Sequence, residues 1–348
     1  MELGKESGIS FMQGQERILK GPYELAIDIT NKCNYRCKHC YNASGENSVI
    51  DNELSDMEFI EMIKNIAEAK PYNVCFCGGE PTIRLELLCM AAEILHANGT
   101  PYISIVSNGF FWNDEVAMKL KEAHVNRVQI SLDGASTETC YKLRQEEKAF
   151  EKAINALVLL NKYKFKDTNI AFCPTKFNIT EFESVCNICK DIGISEIRVQ
   201  PLMLSGRARK YVHELLPSHE QYIDLLKKID FLNVVYSNTM NISWGDPLDH
   251  IFRFKSGQND ITTYASIKAN GDIPISPYLP LSVGNVRKHS FLDYWRAGLP
   301  IVWRLDIAKK LADNLMCMTD MARHVEEVPN TWWEEDIKID IIDDHLLY

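Results

Sequence analysis

Leu25-Ala-Ile-Asp-Ile-Thr30, followed closely by Cys33-Asn-Tyr-Arg-Cys37-Lys-His-Cys40, is the stretch that decides how this chain folds. The first six residues make a short apolar run of the kind that forms a buried strand, so the cysteine loop begins at a strand's C-terminal end. Three thiols spaced four and three residues apart can converge on one metal centre if the loop wraps around it. An iron–sulfur cube normally takes four thiolates. A compact three-thiol loop therefore points to a cluster with one open iron, the arrangement a catalytic metal needs to bind a substrate or cofactor. Two plainer readings stand beside it, a zinc site and unconnected structural thiols. Zinc would want a fourth Cys or His at ligand spacing, and His39 sits inside the loop, where it competes poorly.

Beyond the loop, short apolar runs alternate with amphipathic segments. Ser55 and Glu58 have capping-box spacing and open a helix whose buried stripe is Ile60, Ile63, Ile66 and Ala67. Strands are expected at 73–77, 102–106, 127–132, 168–173 and 196–200, with helices at 85–96, 114–123, 148–163 and 181–192. Together with the first strand these make six strand–helix units, the pattern of a parallel sheet wrapped by helices and two units short of a closed barrel. The fold class is α/β, a partial barrel with a small α+β C-terminal extension. The rhythm breaks at Ser205-Gly-Arg-Ala-Arg209. After it come a helix near 218–232 and a hairpin within Ile267–Ile275, turning on Asn270-Gly271 as type I′. A helix at 291–297 and an edge strand within Trp332–Ile341 complete the expected elements. The organisation expected is a lead-in at 1–23, a barrel at 24–205 and an extension at 206–348.

Composition narrows the function classes. Lys and Arg number 38 against 48 Asp and Glu, a net charge of −10 that disfavours nucleic acid and anionic membrane as partners. No apolar run approaches a membrane span, and Met1-Glu-Leu-Gly-Lys-Glu-Ser7 is too polar for a secretion signal. Eleven cysteines without such a signal point to a reducing cytoplasm, where thiols serve metals or packing.

In a parallel sheet of this kind ligands sit at the C-terminal ends of the strands. Each unusual polar segment falls at such an end. Gly78-Gly79-Glu80 lets backbone approach a ligand and offers a carboxylate to an ammonium group; Ser107-Asn108, Ser131 with Asp133, and Gln200 through Leu202 follow later strands.

The C-x-x-x-C-x-x-C spacing, with Tyr41 directly after it and Gly78-Gly-Glu80 starting 38 residues after Cys40, resembles the signature of the radical S-adenosylmethionine (SAM) superfamily. The resemblance implies a six-stranded partial barrel and a [4Fe–4S] cluster on Cys33, Cys37 and Cys40. It implies that SAM is held by its amino group at Gly78, Gly79 and Glu80, and by its ribose at Ser107 and Asn108. Ser131 and Asp133 match polar positions facing SAM, Gln200 and Leu202 border the adenine, and Arg144 pairs with the SAM carboxylate. Relatives often have Arg-Gly there, whereas this chain has Arg144-Gln145. An electron donor such as flavodoxin or ferredoxin is implied as a partner.

Ala269–Pro277, Val283–Arg287 and Phe291–Trp295 resemble the SPASM/twitch extensions of peptide-modifying members. Those extensions usually carry cysteines for auxiliary clusters; here no cysteine occurs between Cys189 and Cys317, and Ser276 stands where a ligand is expected. One cluster is therefore expected, with a ribosomally made precursor peptide as substrate. A lead-in of 23 residues is too short for the winged helix that recognises the precursor in many relatives, so the tail strand or a separate presenting protein is expected to dock it. Without auxiliary clusters to accept an electron, a redox-neutral outcome such as Cα epimerisation is favoured, with Cys317 or Cys173 as hydrogen donor. Cys75 and Cys77 share one face of a strand, and Cys77 adjoins the glycine pair; Cys186 and Cys189 read as core. The competing readings are peptide crosslinking, chemistry on a sugar or nucleoside, and a protein that holds a cluster or zinc without catalysis.

Overall fold

The computed structural model describes residues 9–11, 17–246, 248–256, 261–313, 315–316, 320 and 336–347. Its centre is one parallel sheet. In chain order the strands are β1 (Glu24–Thr30), β2 (Asn73–Gly78), β3 (Tyr102–Ser107), β4 (Arg127–Ser131), β5 (Asp167–Phe172), β6 (Glu196–Val199), β7 (Asn241–Trp244) and β8 (Tyr264–Ile267). They lie side by side as β8-β1-β2-β3-β4-β5-β6-β7, every neighbouring pair parallel. The first six are the expected barrel strands. Sequence reading missed the outer two, each only four residues long, which arrive from beyond residue 205 and flank both edges.

The two faces of the sheet differ sharply. Leu25, Ile27, Ile29, Val74, Phe76, Ile103, Ile105, Val128, Ile130, Ile170 and Phe172 are fully buried under the helices. The alternate positions, among them Asp28, Cys75, Cys77, Gln129, Ser131 and Ala171, are half-buried on the inner face. A filled barrel would bury both faces with branched apolar side chains. This partial barrel keeps a polar, accessible interior instead.

Helices α1 (Asp56–Glu68), α2 (Leu85–Ala97), α3 (Asp114–Glu122), α4 (Thr137–Arg144), α5 (Ala149–Lys162) and α6 (Phe182–Ile192) connect the strands. The capping box forms: Ser55 Oγ accepts from the Glu58 amide at 3.3 Å, and Glu58 accepts from the Ser55 amide at 2.8 Å. Arg287 of the extension also binds Glu58, at 2.7 Å, and reaches the carbonyls of Asn52 and Glu53. α4 was not anticipated; its eight residues carry three charges, and only a Ser136 cap on the Thr139 amide marks its start.

A three-stranded sheet of Asp272–Pro274, Leu281–Asn285 and Ile337–Lys338 forms the extension's core. The chain does turn at Asn270-Gly271, but two details depart from expectation. The segment before the turn is β8, which belongs to the large sheet, so the arms do not form an independent hairpin. The turn is also not type I′: Lys268 N donates to Asp272 O at 2.9 Å and Gly271 N to Lys268 O at 2.8 Å, a three-residue loop needing only Gly271 (φ +88°) in the left-handed region. Within the expected tail strand, Ile337–Lys338 pairs in parallel with Leu281–Ser282 at the small sheet's edge, while 331–335 lie outside the described residues.

Candidate metal and cofactor site

The cysteine loop leaves the C-terminal end of β1 as expected, and two arginines pin it through its carbonyls. Arg36 donates to the carbonyls of Cys33, Tyr35 and Gly45 at 2.8–2.9 Å. Arg207 donates to Cys37 O at 2.9 Å and Ser44 O at 2.8 Å, and pairs with Glu46 at 2.6 Å. Arg207 is only 5% exposed. It was missed in the sequence, where the sole signal is its place in Ser205-Gly-Arg-Ala-Arg209. Its neighbour Gly206 lets the two segments meet: a Cβ there would lie 2.2 Å from Tyr41 O.

Burial pushes the Cys33 thiol up to about 11 and the Cys37 thiol up to about 12. Protonated, buried thiols of this kind are what a bound metal would deprotonate. His39 does not complete a zinc set: its Nε2 lies 3.0 Å from Asp133 Oδ2, committed to a carboxylate. Around the loop Asn34 Nδ2, Tyr35 OH, His39 Nδ1 and Arg144 Nε are buried without a hydrogen-bond partner among the described residues. Buried polar atoms are normally satisfied. Orphans gathered beside three thiols fit a polar ligand bound over the cysteines.

Gly78, Gly79 and Glu80 sit beside the loop. The two glycines bring two backbones together there. Gly79 N donates to Thr30 O at 2.8 Å and Glu80 N to Lys32 O at 2.9 Å. An added Cβ would lie 2.1 Å from Thr30 O at Gly78 and 2.1 Å from Lys32 O at Gly79. Gly79→Ala is therefore expected to cost about 1–3 kcal/mol, read as a lower urea midpoint; an unchanged midpoint would refute the close approach.

Glu80 is wholly buried, and its carboxylate collects four donors. Thr82 N lies at 3.2 Å, Thr82 Oγ1 at 2.5 Å, Ser107 Oγ at 2.9 Å and Asn108 N at 2.7 Å. Burial raises its pKa, and these donors oppose the rise. Glu80 thus ties the end of β2 to the end of β3. Ser107 is equally occupied, since its hydroxyl also accepts from Trp112 Nε1 at 3.0 Å and from Gly109 N at 3.1 Å. Asn108 faces the cysteine loop, donating to Asn34 Oδ1 at 3.0 Å and reaching Cys33 Sγ at 3.9 Å.

Asp133 and Arg144 do meet, as partners of each other. Arg144 Nη2 lies 2.5 Å from Asp133 Oδ2, with both side chains buried, and Asp133 Oδ1 accepts from Cys173 N at 2.8 Å. Burial alone would raise the Asp133 carboxyl; the charge of Arg144, His39 and the Cys173 amide outweigh it and hold the group well below the usual carboxylate range. Ser131 is half-buried on the inner face, its hydroxyl bonded to no described residue. Gln200 donates to Tyr278 OH at 2.9 Å, and Leu202 is wholly buried in the core. Cys317 lies outside the described residues.

Residues 27–189 match the radical SAM superfamily model. The AdoMet-dependent heme synthase of Oleidesulfovibrio alaskensis is 25% identical over 78% of this chain and 74% of its own length. The mycofactocin maturase MftC of Mycolicibacterium smegmatis is 31% identical over 59% of this chain, which spans about half (51%) of that relative. The crystal structure of Streptococcus suis SuiB bound to S-adenosylmethionine superposes with a TM-score of 0.67 at 15% identity, covering 92% of this chain and 77% of that one. Residues 27–189, just under half of the chain, thus form a radical SAM domain.

Proposed function

We propose that the protein is a peptide-modifying radical SAM enzyme whose favoured outcome is redox-neutral, Cα epimerisation above all. The observation that carries the reading is the loop of Cys33, Cys37 and Cys40, pinned by Arg36 and Arg207 and ringed by unsatisfied buried polar atoms. Those thiols would hold a [4Fe–4S] cluster, which, supplied with electrons by a flavodoxin- or ferredoxin-type donor, would provide the one-electron chemistry for reductive cleavage of bound SAM and hydrogen abstraction from the substrate.

The chain's own contribution is placement. Asn34 Nδ2 and Arg144 Nε are buried donors without a partner among the described residues, Ser131 adds a hydroxyl on the inner face, and Asp133 keeps His39 and Arg144 fixed beside the thiols. Glu80, Ser107 and Asn108 hold the strand ends that shape the site rather than presenting free groups to it. The inner face next to the loop is polar and half-buried. Holding both reactants in one water-poor chamber is what such a protein supplies.

The redox-neutral preference rests on the extension. No cysteine lies between Cys189 and Cys317. Ser276 is buried, bonded to His250 at 2.8 Å and to the Tyr278 amide at 3.1 Å. The rival outcome is small-molecule chemistry, favoured by the coverage shared with the heme synthase.

The test is anaerobic reconstitution with iron and sulfide, then dithionite and SAM with candidate peptides in D2O. Release of 5′-deoxyadenosine and a peptide carrying one Cα deuterium without net loss of hydrogen is expected. Loss of two hydrogens would replace epimerisation by crosslinking. Deoxyadenosine with every peptide unchanged would move the reading to a small molecule, and bound zinc without SAM cleavage would end it.

A further inference from the structure

β2 carries two cysteines on its inner face, and neither is a ligand in the reading above. Alternate residues of a strand share a face, and Cys75 and Cys77 do so with their sulfurs 3.5 Å apart. Both are half-buried, whereas Cys140, Cys186 and Cys189 are sealed in the core. Cys77 immediately precedes Gly78-Gly79, at the mouth where the cysteine loop crosses; Cys75 lies one step deeper. On β1, Asp28 is the register partner of Cys77 and Ala26 that of Cys75, so a carboxyl stands beside the upper thiol.

We infer that Cys77 is the hydrogen-atom donor to radicals formed in this chamber and that Cys75 is the thiol that resolves it, an inference resting on the radical SAM reading. A hydrogen-atom donor must keep its proton, and the hydrogen bond to Cys75 together with burial holds the Cys77 thiol well above its ordinary range. Among the inner-face bonds, S–H is weaker than the aliphatic C–H bonds around it. The same pairing distinguishes these residues from Cys173, whose sulfur has no thiol neighbour among the contacts of the described residues.

The Cys77 S–H bond breaks homolytically, and its hydrogen joins the carbon radical, leaving a thiyl. Cys75 gives its proton to a base, and Asp28, raised by burial to about 7, is the carboxyl at hand. An S–S bond forms between the two sulfurs, and the surplus electron passes to an oxidised one-electron carrier of the flavodoxin or ferredoxin class. An external dithiol then supplies two electrons and two protons to restore both thiols. Alternate residues of a strand lie about 6.7 Å apart at Cα, at the upper limit of what a disulfide spans, so closing the bond between sulfurs now 3.5 Å apart draws the two Cβ atoms together with a local adjustment of the strand.

The test uses the reconstituted holoprotein reduced with one equivalent of titanium(III) citrate per cluster, given SAM in D2O with no peptide and then oxidised flavodoxin as the one-electron acceptor, so that the chamber's own groups are the hydrogen source. Deoxyadenosine carrying one deuterium is expected. N-ethylmaleimide trapping followed by peptide mapping should show a Cys75–Cys77 disulfide. Both signals, normalised to SAM cleaved, are lost in Cys77→Ser; Cys75→Ser loses the disulfide and retains the deuterium. The cluster's absorption spectrum is recorded for each variant to show that the fold persists. SAM cleavage with equal deuterium in wild type and Cys77→Ser, and with both thiols alkylated, would overturn the inference while leaving the enzyme reading intact. Absence of SAM cleavage in the wild type would overturn both.

Discussion

Cys37→Ala is expected to abolish iron retention and SAM cleavage together, while the protein still folds. With all three thiols the reconstituted chain should hold about four irons; with two it cannot retain a cube against chelators. The loop's shape does not depend on the Cys37 sulfur. Arg207 grips the Cys37 carbonyl, Arg36 the Cys33 carbonyl, and Lys38 N donates to Leu143 O at 2.8 Å, so the backbone keeps its course when one side chain is shortened. Iron analysis and deoxyadenosine release measure the loss, and circular dichroism checks the fold. Cys186→Ala is the contrasting case: that thiol is wholly buried on α6, so its loss should cost about 1 kcal/mol of stability and leave iron in place. Iron retained at wild-type level in Cys37→Ala would remove Cys37 from the site.

What was legible follows the range of the interactions concerned. β1 with its cysteine loop, the capping box at Ser55, and the six central strands each carry a signal within a few residues, an apolar run or a cap, and pattern reading found them. The outer strands were missed because Asn241–Trp244 and Tyr264–Ile267 are short, and only pairing with β6 and β1 makes them strands. The close approach of Thr30 and Lys32 to Gly79 and Glu80 was not legible, since nothing local says that those carbonyls come within 3 Å of the two amides. Arg207 acts on carbonyls 163 and 170 residues away. Asp133 and Arg144 are only 11 residues apart, yet their ion pair was not foreseen, because a motif that suggests ligand contacts says nothing of contacts between its own residues. Ligand-facing groups and groups that orient them have the same chemistry; only three-dimensional neighbours tell them apart.

Asp133→Ala tests that distinction through stability. The carboxylate is 1% exposed, and its removal strands a buried guanidinium, frees His39 and orphans the Cys173 amide. Breaking a buried pair by removing one partner typically costs about 3–5 kcal/mol, most of it the penalty on the charge left behind. The linkage has a definite sign. The folded pKa of Asp133 lies below its unfolded value, so the stabilisation is complete above the ordinary carboxylate range, near about pH 4. It is lost as pH falls through the folded value. Urea titrations of the metal-free protein should therefore show a wide gap between wild type and Asp133→Ala at pH 7 that narrows steadily below about pH 4. Carboxylates common to both proteins shift the two curves alike and leave the gap to report Asp133. Because His39 lies between Cys37 and Cys40, the variant should also lose iron faster to a chelator than wild type, with the initial iron count unchanged. A gap of similar size at every pH would mean that the charge is irrelevant and that Asp133 acts through packing alone.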